Sequence, residues 1–85
     1  MRLEPLEISI LRELREPNHS GWLTADELAE RTGAPGWETA AVLNGLAHKF
    51  LARRGGTALG HWRRWEITET GMIELAAADQ LRLTR

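Results

Sequence analysis

The residues from Leu23 to Ile67 leave few folds open to this chain. Thr24-Ala25-Asp26-Glu27 is a capping-box pattern, in which a threonine and a glutamate three residues apart satisfy amides left open at a helix start. Gly33-Ala34-Pro35-Gly36 then interrupts the helix, and a second helical run extends to His48. Phe50-Leu51-Ala52-Arg53-Arg54, a Gly55-Gly56 turn and Arg63-Arg64-Trp65-Glu66-Ile67 follow and read as a cationic β-hairpin. A helix pair beside such a hairpin is one way to dock on a DNA duplex.

The flanking residues complete a single domain over residues 1–85. Leu3, Leu6, Ile10 and Leu14 recur at helical spacing, and Pro5 suits a first turn, so helix one is expected over about 4–16. Pro17 to Gly21 is dense in turn formers and ends it. Trp22-Leu23 can form a very short strand before helix two, at about 25–32, whose Leu28 and Ala29 face inward. Gly33 suits a left-handed stop. Helix three is expected over about 36–49, with Ala40, Leu43, Leu46 and Ala47 buried.

The wing covers about 50–67, with Trp65 and Ile67 on one face and Arg64 and Glu66 on the other. Trp22 and Trp65 read as core. Trp37 is left between core and docking surface, and Gly45 between internal packing and close approach of another backbone. Thr68 caps a C-terminal helix of about 69–82 that carries Met72, Ile73, Leu75, Ala76 and Leu81. Part of that apolar side closes the core, and the rest, from about Ala76, can meet a second copy. The expected class is mainly α with a small β-hairpin (α+β): a three-helix core, a wing and a C-terminal helix.

Charge is distributed unevenly. The whole chain is −1, but residues 1–48 sum to −4, residues 49–64 to +5 and residues 65–85 to −2. A polyanion responds to a local cationic face, so the acidic total does not exclude nucleic acid. There are no cysteines, which removes disulfides and thiolate metal sites and fits a cytoplasmic setting. No apolar run approaches the roughly 20 residues of a membrane span, and the N-terminus lacks the pattern of a secretory signal. His19, His48 and His61 have no metal-ligand spacing. No nucleophile–base pairing or phosphate loop stands out, so neither an enzyme nor a cofactor is expected.

In this order and spacing the chain resembles winged helix-turn-helix domains, especially transcription regulators of the multiple-antibiotic-resistance (MarR) and phenolic-acid (PadR) types found in bacteria. The matching residues are Leu23 to Gly33 for helix two; Leu43, Leu46, Leu51 and Arg53-Arg54 for helix three and its exit strand; and Trp65 to Gly71 for the second wing strand with its Thr-Glu-x-Gly entry to a helix. The resemblance implies a DNA-binding regulator with helix three in the major groove and the wing along the backbone or minor groove.

Candidate DNA contacts are therefore Arg53, Arg54, Arg63, Arg64 and His61 in the wing, with Trp62 beside them, and Thr39, Asn44, His48 and Lys49 in helix three. Expected partners are double-stranded DNA, a second copy through the C-terminal helix, or another protein. One departure from the resemblance favours a second reading. Helix three has no arginine, the residue that most often reads guanine. The alternative is a protein–protein interaction module within a larger assembly, using Trp37, Ala41, Gly45 and Trp62 as contacts.

Overall fold

A computed structural model describes residues 2–16, 23–55 and 64–83. The elements run α1 (Pro5–Arg15), β1 (Leu23–Thr24), α2 (Ala25–Thr32), α3 (Gly36–His48), β2 (Ala52–Arg54), β3 (Arg64–Ile67) and α4 (Glu69–Leu83). The expected helices are all present, with ends shifted by a residue at most. The small hairpin is part of a three-stranded antiparallel sheet in the order β1-β3-β2. Leu23 pairs with Trp65, and Ala52, Arg53 and Arg54 pair with Ile67, Glu66 and Trp65. Of the short strand expected at Trp22-Leu23, Leu23 lies in β1, and Trp22, with its expected core position, lies outside the described residues.

Local chemistry fixes α2 at both ends. Thr24 Oγ1 accepts from the Glu27 amide at 3.1 Å, and the Thr24 amide donates to Glu27 Oε1 at 3.0 Å. Gly33 closes the helix at φ 76°, its amide donating to the Ala29 carbonyl at 2.9 Å. A left-handed residue is costly for most side chains and nearly free for glycine.

The core is built from Ile10, Leu11 and Leu14 of α1, Leu23 of β1, Leu28, Leu43 and Leu46 of the helix pair, Leu51 and Ala52, Trp65 and Ile67, and Leu75 of α4. Leu3 and Leu6 only fringe it, and Leu11 occupies the place that simple spacing did not assign. In α4 the inward side is narrow. Gly71 and Leu75 are buried, whereas Met72, Ile73 and Ala76 are exposed, so the outward apolar surface starts one turn earlier than the sequence suggests. Arg12 and Arg15 of α1 both pair with Asp79, pinning α4 across α1.

Leu43 and Leu46 of α3 are buried as expected, but the edge of its buried face differs. Thr39 is fully buried and Ala40 is exposed. A polar residue can occupy the core here because Thr39 Oγ1 donates to the Pro35 carbonyl at 3.0 Å, leaving no open hydrogen bond.

Two glycines predict opposite outcomes. A Cβ on Gly71 would overlap the Leu51 carbonyl oxygen and lie 2.8 Å from Ile67 Cγ1. Backbone cannot yield as a flexible side chain does, so Gly71→Ala should destabilise by roughly 2 kcal/mol or more in denaturant unfolding. A Cβ on Gly45 meets nothing within 4 Å. Gly45→Ala should stabilise by about 0.5–1 kcal/mol in the same assay, the ordinary gain in a helix interior.

Candidate nucleic-acid interface

The outward side of α3 is a single stripe. Trp37, Ala40, Ala41, Asn44 and His48 are exposed, and their spacing of three or four residues puts them on one face. Thr39, Leu43 and Leu46 occupy the opposite face. Thr39 is thus corrected as a contact residue, because its side chain faces the core and bonds within the helix. Trp37 is settled as surface, at 76% exposure. Gly45 is half-buried with open space above its α-carbon, so internal packing does not explain it.

The helix ends on Phe50, a non-glycine residue at φ 61°. The Phe50 amide donates to the Ala47 carbonyl at 3.0 Å, and the Leu51 amide donates to the Leu46 carbonyl at 2.9 Å. These are the two bonds of a Schellman close, which glycine usually provides. The Phe50 ring is 75% exposed, so burial does not repay the left-handed backbone. Nothing in the order Lys49-Phe50-Leu51 announces this turn, and a strand beginning at Phe50 is the natural reading of the residues.

The sheet register divides the wing arginines. Directly opposed residues share a face. Arg53 and Glu66 are opposed on the outer face, and Arg53 Nε donates to Glu66 Oε2 at 2.6 Å. Arg54 is opposed to Trp65, and its guanidinium carbon sits 5.2 Å from the indole centroid, a cation–π arrangement. Arg64 is exposed and adds to the positive field at Glu27. The Glu27 carboxyl lies below its ordinary value chiefly because the Thr24 amide donates to it, with Arg64 and Arg31 contributing further. Arg63 and His61, with Trp62, lie outside the described residues.

Lys49 is also not the unencumbered cation the sequence suggests. Its Nζ donates to Glu7 Oε2 at 2.8 Å, and Glu7 is 6% exposed. Burial pushes the Glu7 carboxyl up, but the Glu4 amide at 2.8 Å and the Lys49 ammonium outweigh it and hold the group below 4.5. Of the four described cations in the positive segment, Lys49 and Arg53 therefore have carboxylate partners. Among the described residues, Arg54 and Arg64 form no salt bridge.

Arg53 and Arg54 of the wing meet the α3 stripe in one place. A shallow depression of about 410 Å³ between α3 and the sheet is lined by Asn44, Ala47, Phe50, Arg54 and Trp65 among others. A neighbouring one, of about 430 Å³, shares Asn44, Ala47 and Phe50 and adds His48. The surface is a concave seam with an amide, an imidazole and a guanidinium at its edges and apolar walls. Among the described residues, no group of three or more His, Asp or Glu side chains could hold a metal ion. Among the same residues, no helix is long and apolar enough to cross a membrane.

The architecture matches that of solved regulators. A MarR family transcriptional regulator from Silicibacter pomeroyi superposes with a TM-score of 0.76 at 23% identity, covering 94% of this chain and 52% of that one. A mutant of E. coli MarR gives 0.79 at 16% identity, covering 93% and 57%. A mutant of S. aureus MepR bound to an oligodeoxyribonucleotide gives 0.73 at 23% identity, covering 96% and 62%. This chain therefore has the winged-helix fold expected from its residues, and it spans little more than half the length of these structures. No protein-family model matches it, and no curated protein matches it significantly.

The Glu7–Lys49 pair makes a pH prediction. Glu7 has a folded pKa below its unfolded value, so it adds stability above about pH 4.5 that is lost as pH falls through the folded value. Glu7→Gln should lower unfolding free energy by about 1–2 kcal/mol at neutral pH, with Lys49 partly in solvent moderating the loss. The difference between variant and parent should shrink in acid. Denaturant titrations at pH 7 and pH 3 provide the comparison.

Proposed function

We propose that this chain is a DNA-binding transcription regulator of the bacterial MarR-like kind, acting in the cytoplasm. In this reading α3 enters the major groove, with Asn44 and His48 toward the bases and backbone. The sheet lies against the phosphate backbone or the adjacent minor groove. The observation that carries the reading is the seam itself: Asn44 of α3 and Arg54 of the wing border the same concavity. Phosphate contacts then set register while the α3 stripe faces the base edges. Arg54 and Arg64 are the leading phosphate contacts, joined by Arg63 and His61. Lys49 and Arg53 must loosen from Glu7 and Glu66 to contribute. The likeness to the oligonucleotide-bound S. aureus MepR mutant supports this orientation by analogy of fold.

Binding to generic duplex should weaken steeply with salt, since each phosphate contact contributes a slope of about −0.9 in log affinity against log salt. Three to five contacts give about −3 to −5. Arg54→Ala with Arg64→Ala should flatten the slope by about 2, while Arg53→Ala alone should change it by less than 1. Fluorescence anisotropy over a salt series measures all three. Salt-independent binding would reject the electrostatic interface.

A homodimer through α4 belongs to the same proposal. Met72, Ile73 and Ala76 form an exposed apolar strip, and a two-fold pair of such helices would bring two α3 stripes to neighbouring half-sites. Ile73→Glu should shift sedimentation toward the monomer and weaken binding to a two-site duplex, leaving the thermal unfolding midpoint within a few degrees.

Two exposed aromatics favour a second reading. Trp37 stands at one end of the stripe and Phe50 follows the other, and such residues anchor protein interfaces. A protein-interaction module would bind its partner through them and ignore duplex at every salt concentration.

A further inference from the structure

We infer that α3 is built to read A·T base pairs: Asn44 pairs with an adenine, and the methyl groups of Ala40 and Ala41 meet thymine methyls on neighbouring base pairs. The inference rests on the DNA-binding reading above and adds what the site selects.

The major groove offers a distinct pattern for each base, and each pattern has a preferred side-chain chemistry. Guanine is read by arginine or lysine, cytosine by aspartate or glutamate, adenine by asparagine or glutamine, and the thymine methyl by small apolar groups. The exposed stripe of α3 consists of Trp37, Ala40, Ala41, Asn44 and His48. It contains neither arginine nor lysine. Glu38, the one acid of the helix, is half-buried on its flank and stands off the stripe. The arginine, lysine and acid side chains that most often read guanine and cytosine are thus missing from the face, while an asparagine and alanine methyls suited to adenine and thymine are present.

The placement is compatible with adjacent base pairs. Asn44 is exposed, and its amide makes no hydrogen bond among the described residues, so both its donor and its acceptor are open for a bidentate pair. Ala40 and Ala41 precede it by about one turn, a rise of roughly 4.5–6 Å along the axis. That is one to two base-pair steps of about 3.4 Å. Gly45, beside Asn44, has open space where a Cβ would project, so the helix can approach a base edge closely there. Phe50 and Arg54 border the same depression as Asn44, which sets a phosphate-binding group next to the base-reading one.

The test uses the full chain and short duplexes with a randomised centre. Selection should enrich two or more adjacent A·T pairs. In the selected duplex, replacing thymine by deoxyuridine removes only the methyl and should weaken binding about fourfold for each methyl that is buried. Asn44→Ala should weaken binding to the selected duplex about tenfold or more and binding to unselected duplex by far less, so that the preference between them collapses. Its exposed position keeps the fold intact, which the circular dichroism melt verifies. Enrichment of G·C pairs, indifference to deoxyuridine, or salt-dependent binding without enrichment overturns the inference and leaves DNA binding standing. Failure to bind any duplex at low salt overturns both.

Discussion

The turn at Phe50-Leu51 holds α3, the sheet and α4 of this protein in register. The Leu51 amide closes α3 by donating to the Leu46 carbonyl, and the Leu51 carbonyl accepts from the Thr68 amide at 3.1 Å. Thr68 Oγ1 donates to the Phe50 carbonyl at 2.6 Å and accepts from the Gly71 amide at 2.9 Å, which caps α4. One buried residue and one hydroxyl thus tie the end of α3, the start of β2, the end of β3 and the start of α4. Gly71 completes the junction because the Leu51 carbonyl occupies the space a side chain would need. The relative position of helix and wing follows from backbone bonds, which mutation of surface residues leaves alone.

Around that junction the charges do two separate jobs. Lys49 and Arg53 lie in the positive segment, yet they serve the architecture through Glu7 and Glu66. Arg54 and Arg64 remain to project positive charge outward, one from each face of the sheet. A count of charge along the sequence cannot separate these roles, because pairing is decided by neighbours from distant segments. Glu7 is 42 residues from Lys49 in the chain. Exposed ion pairs such as Arg53–Glu66 contribute little to stability and rearrange easily in the presence of a polyanion.

The fold was legible because its signals are local. The Thr24 box, the Gly33 stop, the alternation of Arg64-Trp65-Glu66-Ile67 and the Thr68 cap each specify a boundary through bonds spanning four residues or fewer, or through the two-residue period of a strand. The candidate site was legible only in outline. Thr39 and Ala40 exchange their expected places because a hydroxyl that bonds to Pro35 behaves as a core residue, whereas hydrophobicity alone favours alanine. Leu43 and Leu46 keep their expected places, so this slip of one position moves only one edge of the outer face: Thr39 leaves it and Ala40 joins it. Arg54 separates from Arg53 because strands alternate, so a cluster in sequence becomes two faces in space.

Phe50 brings these threads together. A left-handed backbone costs a bulky residue on the order of 1–3 kcal/mol, and glycine at the same position would avoid it. The exposed ring recovers little of that cost by burial. Strain of this kind persists where surrounding bonds over-determine it, and here the bonds of Leu51 and Thr68 do so. The strained turn keeps an aromatic side chain at the mouth of the seam beside Asn44 and Arg54. A glycine would close the helix equally well and leave that mouth empty. The helix close itself does not require phenylalanine, whose side chain instead borders both depressions beside Asn44.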